Sequence, residues 1–223
     1  GDVACHEDGV GRMAEPSEIH SAIQAQFVLS SVLKGKKIIV TAGPTQEAID
    51  PVRFITNHSS GKQGFAIAER LAAAGADVTL IHGPVGITPS RNIKTVVSVK
   101  SAQEMLSAVQ SALPADIAIC TAAVADWRVK QIQKQKIKKS SKNPNLVLEE
   151  NPDILQTIAQ HKKRPKLVIG FAAETENLAK HAAAKLARKK CDWILANDVS
   201  KDVFGGDENQ ILFLRSGKKP ENW

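Results

Sequence analysis

Residues 37–43 read KIIVTAG, a run of Ile and Val that closes on small residues. An apolar run without polar alternation predicts a strand buried on both faces, which requires a parallel sheet covered by helices. The same signature returns as ADVTLIHG from Ala76, ADIAICTAA from Ala115, KLVIGFAAET from Lys166 and DWILAND from Asp192. Helical patterns fill the intervals, over residues 62–74, 102–113, 152–160 and 176–189. The alternation predicts an α/β chain, a Rossmann-like three-layer fold with a mostly parallel central sheet and right-handed crossovers. QILFLRSG, near the end, reads as one more strand.

Local signals mark the helix ends. SAQE at residues 101–104 is a capping box, in which Ser101 and Glu104 each accept an otherwise free amide. NPDI predicts Asn151 as an N-cap before Pro152, which has no amide to lose at the first helical position. Thr175 is expected to cap the last helix, whose final turn carries Arg188, Lys189 and Lys190 against the dipole. Gly75 is expected to stop the helix that starts at Lys62.

Two connections exceed the usual two to six residues of a βα loop. One runs from Gly43 to Ser60. The other, from Trp127 to Glu150, is a long basic flap containing the turn formers SSKNPN. The flap also explains the charge. The chain of 223 residues has a net charge of +7, and Arg128, Lys130, Lys134, Lys136, Lys138, Lys139 and Lys142 lie in the flap without one acid among them. Outside this strip basic and acidic residues balance, so a small polyanion suits the charge better than a nucleic acid, for which the strip also lacks interleaved aromatics.

Other classes are excluded by composition. Hydrophobic residues make up 43% and charged residues 24%, and no apolar run approaches the roughly 18–20 residues of a membrane span. Cys5, Cys120 and Cys191 form no CxxC pair and the histidines show no HxxxH or HExxH spacing, so neither a disulfide framework nor a zinc site is expected. A reducing cytoplasm fits. The first residues contain no signal-peptide progression and no initiator methionine, and residues 1–33 read as a linker helix or the tail of a neighbouring domain.

The candidate site residues sit at strand ends. TAGPT after the first strand does not provide GxGxxG, which weakens a nicotinamide-dependent oxidoreductase reading that rests only on the α/β alternation. SSGKQG, residues 59–64, fails as a Walker loop because Gln63 stands where Ser or Thr is required. It remains either an anion site at a helix N-terminus or a plain glycine-rich turn. CTAAVADWR from Cys120 ends a strand with small residues that leave room either for a ligand or for a close helix contact, and Asp126 can accept from a sugar or base or act as a cap. Lys185 and Lys189 share one helix face, as a phosphate clamp or as solvated cations. Cys120 and Cys191 read as small buried apolar groups.

Taken in order, VTAGPTQEAIDPVRFITNHSSGKQGFAIA, AAVADWR, KIKK, NPDIL, GFAAET and ANDVS resemble the bacterial phosphopantothenoylcysteine synthetases, the ligase half of the bifunctional coenzyme A biosynthesis proteins. The resemblance covers about Lys36 to Val199 and implies a domain over residues 34–223 with a shortened C-terminus. The head, ACHEDGVGRMAEPSEI, resembles the end of the fused flavin-dependent decarboxylase, with His6 in place of the family glycine. Most of that domain is absent, so FMN binding is not expected of this chain. The resemblance implies a cytoplasmic homodimer that joins 4'-phosphopantothenate to L-cysteine using CTP and Mg2+, with no membrane or nucleic-acid partner. It implies catalytic roles for Asn57 and Lys136, and nucleotide contacts at Cys120, Thr121, Ala122, Asp126, Lys136, Pro152, Asp153, Ile154, Leu155, Phe171, Lys185 and Lys189. It places 4'-phosphopantothenate near Gly43, Asn57, Ser60, Gly61, Gly64 and Ala123, and names no metal ligands.

Overall fold

The computed structural model describes residues 15–17, 19, 32–139, 145–198 and 210–223. The head with Cys5 and His6, the body of the helix expected after Pro16, Lys142 and Val199 lie outside the described residues. KIIVTAG forms β1 (Lys37–Ala42), in which Ile38, Ile39, Val40 and Ala42 are at most 2% exposed. Parallel to it run β4 (Asp77–His82), β5 (Thr95–Ser98), β6 (Ile117–Cys120), β9 (Leu167–Glu174) and β10 (Trp193–Asp198). QILFLRSG supplies β11 (Ile211–Arg215), antiparallel to β10, and β12 (Glu221–Asn222) pairs with β11 in turn.

The eight strands are ordered β12-β11-β10-β9-β6-β1-β4-β5. Counted in chain order, the six parallel strands from β5 to β10 follow the 3-2-1-4-5-6 order of a doubly wound sheet. The order reverses between β1 and β6, where Thr41 pairs with Cys120. Connections leaving those two strands part in opposite directions and open a crevice at their carboxyl ends.

The period of two along each strand sorts the core into two layers. Ile38 and Val40 face α1 (Lys62–Ala73) through Phe65 and Ala68. Ile39 faces the other side, where Met105 and Val109 of α2 (Ala102–Ser111), Ile158 of α3 (Ile154–Ala159) and Ala182 of α4 (Leu178–Lys189) complete the apolar layer. A buried Ile or Met in such a layer contributes about 2–5 kcal/mol against truncation to Ala. The capping box at α2 is present, with the Ser101 hydroxyl accepting the Glu104 amide at 3.2 Å.

Two expected caps are corrected. The N-cap of α3 is Asp153, which accepts the Gln156 amide at 3.0 Å. Asn151 instead donates its side-chain amide to the Ala125 carbonyl and its backbone amide to the Asp126 carbonyl, both at 2.8 Å, and so ties the start of α3 to the end of the β6 segment. Thr175 does not cap α4, because β9 stays paired with β10 as far as Glu174 and the following residues must turn the chain. Asn177 precedes the helix in the left-handed conformation that Asn tolerates, with φ 49°.

Both long connections contain hairpins. In the first, β2 (Gln46–Ala48) pairs with β3 (Phe54–Thr56); in the second, β7 (Trp127–Val129) pairs with β8 (Leu148–Glu150).

Candidate functional site

A cleft of about 390 Å3 opens at the carboxyl ends of β1, β6 and β9. Its floor is Thr41 and Cys120, and Ala122 and Asp126 continue one wall. Pro152, Asp153, Ile154 and Leu155 at the start of α3 form the opposite wall, Phe171 comes from β9, and Lys185 and Lys189 reach in from α4. Every nucleotide-binding candidate except Thr121 and Lys136 therefore lines one cavity. The Thr121 hydroxyl turns to the Thr41 carbonyl, to which it donates at 2.6 Å, and so joins the two strands at the reversal point.

The charge of the cleft is set by partial desolvation. Burial pushes the Lys185 ammonium below the ordinary lysine range, against the pull of Glu174 and Asp126, and Arg188 adds to the downward push. Burial likewise lowers Lys189, with Asp126 opposing. Lys189 also pairs with Asp153, whose second oxygen caps α3. A polyanion entering here meets cations that are incompletely hydrated and gain from it. Burial pushes the Cys120 thiol up to about 12 and Cys191 to about 11, so neither supplies a thiolate at neutral pH.

The substrate candidates gather on the other side of the β1–β6 crevice. Gly43 and Gly61 both have positive φ, 71° and 77°, and their loops touch. The Ala123 amide donates to the Gly43 carbonyl at 2.9 Å. Gly64, in the first turn of α1, is buried against β1, where an added Cβ would lie 2.4 Å from the Thr121 hydroxyl and 2.6 Å from the Ala42 Cβ. Ser60 is exposed and its hydroxyl accepts the Lys62 amide at 3.4 Å. The helix N-terminus therefore faces the crevice with no side-chain cap on Gly61. Asn57, just after β3, donates its side-chain amide to the Val124 carbonyl at 3.0 Å, and Val124 is itself part of the cleft wall.

Lys136 is exposed on the flap and is not in the cleft lining. Thr41, Val124, Asn151 and Arg188 also line the cleft, though none is a binding candidate from the sequence, in which Asn151 reads as a cap. Arg188 stands between the paired lysines in KLARKK, residues 185–190, where the sequence marks it only as a dipole complement, although its spacing of three from Lys185 places both on one side of the helix. Among the described residues, no group of three His, Cys, Asp or Glu side chains could hold a metal.

Fold and site together define a class: a Rossmann-ordered α/β domain with a cationic ligand cleft at its topological switch point. The chain belongs to the DNA/pantothenate metabolism flavoprotein C-terminal domain family, whose model matches residues 33–223. It is similar to the coenzyme A biosynthesis bifunctional protein CoaBC of Haemophilus influenzae, with 50% identity over 219 residues that cover 97% of this chain and 54% of that protein. The chain thus spans about half the length of the curated relatives it matches. The crystal structure of the C-terminal domain of a CoaBC superposes with a TM-score of 0.73 at 42% identity, covering 87% of this chain and 88% of that one. A Cab2 mutant in complex with phosphopantothenate-cysteine shares the fold at 18% identity and a TM-score of 0.70, covering 94% of this chain and 88% of that one.

Proposed function

We propose that the chain is a ligase that joins 4'-phosphopantothenate to L-cysteine and converts CTP to CMP and pyrophosphate. The observation that carries this reading is the single cleft that collects Cys120, Ala122, Asp126, Pro152 to Leu155, Phe171, Lys185 and Lys189 beside the glycine crevice of Gly43, Gly61 and Gly64. One compartment suits a nucleotide and the adjoining one suits a second phosphate. Kinship with the bifunctional coenzyme A biosynthesis protein supports the choice of substrates.

A carboxylate does not condense with an amine in neutral water, so it is first activated. A pantothenate carboxylate oxygen attacks the α-phosphorus of CTP, the bond to the bridging oxygen breaks, and pyrophosphate leaves. Lys185, Lys189 and Lys136 hold the phosphates and offset the charge that develops on the leaving group. The cysteine amine then attacks the acyl carbon of the acyl-cytidylate, CMP leaves with the ester oxygen, and the amine loses its proton. An Asn amide carries two hydrogens, so the bond to Val124 orients Asn57 while the other hydrogen can meet the acyl oxygen. Loss of one such donor costs about 10²- to 10³-fold in rate. Mg2+ brought in with the nucleotide would add to the charge neutralisation that the lysines supply.

The ligase reading also takes the chain to be a homodimer, in the cytoplasm, with residues 1–33 belonging to a preceding decarboxylase domain. Val52, Phe54, Trp127, Ile132, Val147 and Leu148 are each 48% to 59% exposed on or beside the two hairpins, an apolar surface suited to a second copy. Nothing favours hydride transfer, since a hairpin occupies the β1–α1 connection where dinucleotide folds place GxGxxG. In the test, pyrophosphate should appear only when CTP and 4'-phosphopantothenate are both present. Lys136→Ala should suppress that release, whereas Asn57→Asp should let acyl-cytidylate accumulate. Equal release with ATP, or equal loss of both steps in both variants, would reject the nucleotide choice or the division of roles respectively.

A further inference from the structure

Asp50 lies in the turn of the β2–β3 hairpin with its side chain fully buried. One carboxylate oxygen accepts the amides of Val52 at 2.8 Å and Arg53 at 2.9 Å, the usual way in which Asp holds its own turn. The other oxygen is committed elsewhere. It accepts the amide of Ile137, 87 residues along the chain, at 3.0 Å, and it pairs with the Arg53 guanidinium at 2.9 Å. Arg53 in turn donates to the Ile137 carbonyl, so one ion pair takes both backbone polar groups of Ile137. A second tie joins the same two segments, from the Gln133 amide to the Ile49 carbonyl at 3.0 Å. Lys136 lies between these ties. Burial alone would raise the Asp50 carboxyl, but the three amides and the Arg53 charge outweigh it and hold the group below the ordinary carboxylate range.

We infer that Asp50 is a positioning residue for Lys136: with Arg53 it clamps Ile137 and fixes the backbone that carries the lysine. The inference rests on the ligase reading of Lys136. It also explains the geometry of the first long connection. β3 leads directly into Asn57, so one hairpin carries the group proposed for the second step and, through Asp50, the group proposed for the first. A carboxamide cannot replace the carboxylate here, because it has one accepting oxygen and its NH2 would face donors on whichever side it took.

Trypsin cleavage after Lys134, Lys138 and Lys139 of the whole chain reads the anchor without reference to activity. Asp50→Asn should speed cleavage about tenfold, as loss of a bond to an ionised group implies. Ile137→Pro, which removes the amide hydrogen that Asp50 accepts, should do the same, and Ile137→Ala, which keeps it, should not. All three are compared well below their unfolding midpoints. Pyrophosphate release without cysteine should fall about a hundredfold for Asp50→Asn in the parent chain, the scale expected when a reacting group is misplaced by about 1 Å. In a Lys136→Ala background the same substitution should change it by less than about twofold, because nothing remains to be positioned. Unchanged cleavage in both Asp50→Asn and Ile137→Pro overturns the anchor. Equal losses of rate in the two backgrounds overturn the route through Lys136. Faster cleavage in a chain whose parent releases no pyrophosphate leaves the anchor standing and overturns the ligase reading instead.

Discussion

Lys185 and Lys189 occupy one face of α4, four residues apart and directed into the same cleft. Their position has two consequences for pH. In the folded chain burial holds the Lys185 pKa below its unfolded value, so the unfolded chain binds more protons between the two values and stability rises with pH across that window. Nucleotide binding has the opposite sign. Bound phosphates raise the lysine pKa again, so affinity is full below the free-state value and is lost as pH rises through it, earlier than for a surface lysine. Titration calorimetry with CTP across alkaline pH measures this decline. Lys185→Met should weaken CTP binding about ten- to hundredfold, the worth of one charge-assisted contact, without lowering the thermal midpoint, since it removes a desolvated charge. A lower midpoint with unchanged affinity would make Lys185 a structural residue.

At the scale of elements, Gly64 decides how closely α1 can lie on β1. Gly64→Ala would set a methyl group against Ala42 and Thr121, and overpacking of this kind costs about 1–3 kcal/mol. Urea unfolding should show the loss, and an unshifted midpoint would mean that the helix can move away freely. Part of the fold was legible in the sequence. KIIVTAG and its four companions announced their strands because a strand buried on both faces must be continuously apolar, and SAQE announced α2 because the capping box is local chemistry. The short strands of β2–β3 and β7–β8 carry no such signature. They are three residues long, half exposed, and held by contacts such as those of Asp50 with Ile137 that join distant segments. Asn151 was misread for a related reason. Its local sequence suits an N-cap, but the carbonyls of Ala125 and Asp126 compete for its donors and leave the cap to Asp153. The cleft was legible as small residues at strand ends and cations on one helix face; that Thr41 and Arg188 belong to it depends on strand register and helix placement.

For the whole molecule, the reversal of strand order between β1 and β6 places the lysine-lined cleft on one side and the glycine crevice on the other. The apolar side chains on or beside the two hairpins make the dimer a testable part of the reading: Phe54→Asp combined with Val147→Asp should shift sedimentation from dimer to monomer at micromolar concentration. A dimer that persists unchanged would move the interface elsewhere. The central claim is that the cleft activates a carboxylate on the α-phosphate of CTP. Single-turnover quench with CTP labelled at the α-phosphate tests it most directly. With 4'-phosphopantothenate and no cysteine, the label should pass into an acyl-cytidylate, and added cysteine should discharge it as CMP. Label leaving as CDP, with phosphate transferred to the carboxylate, would contradict the account.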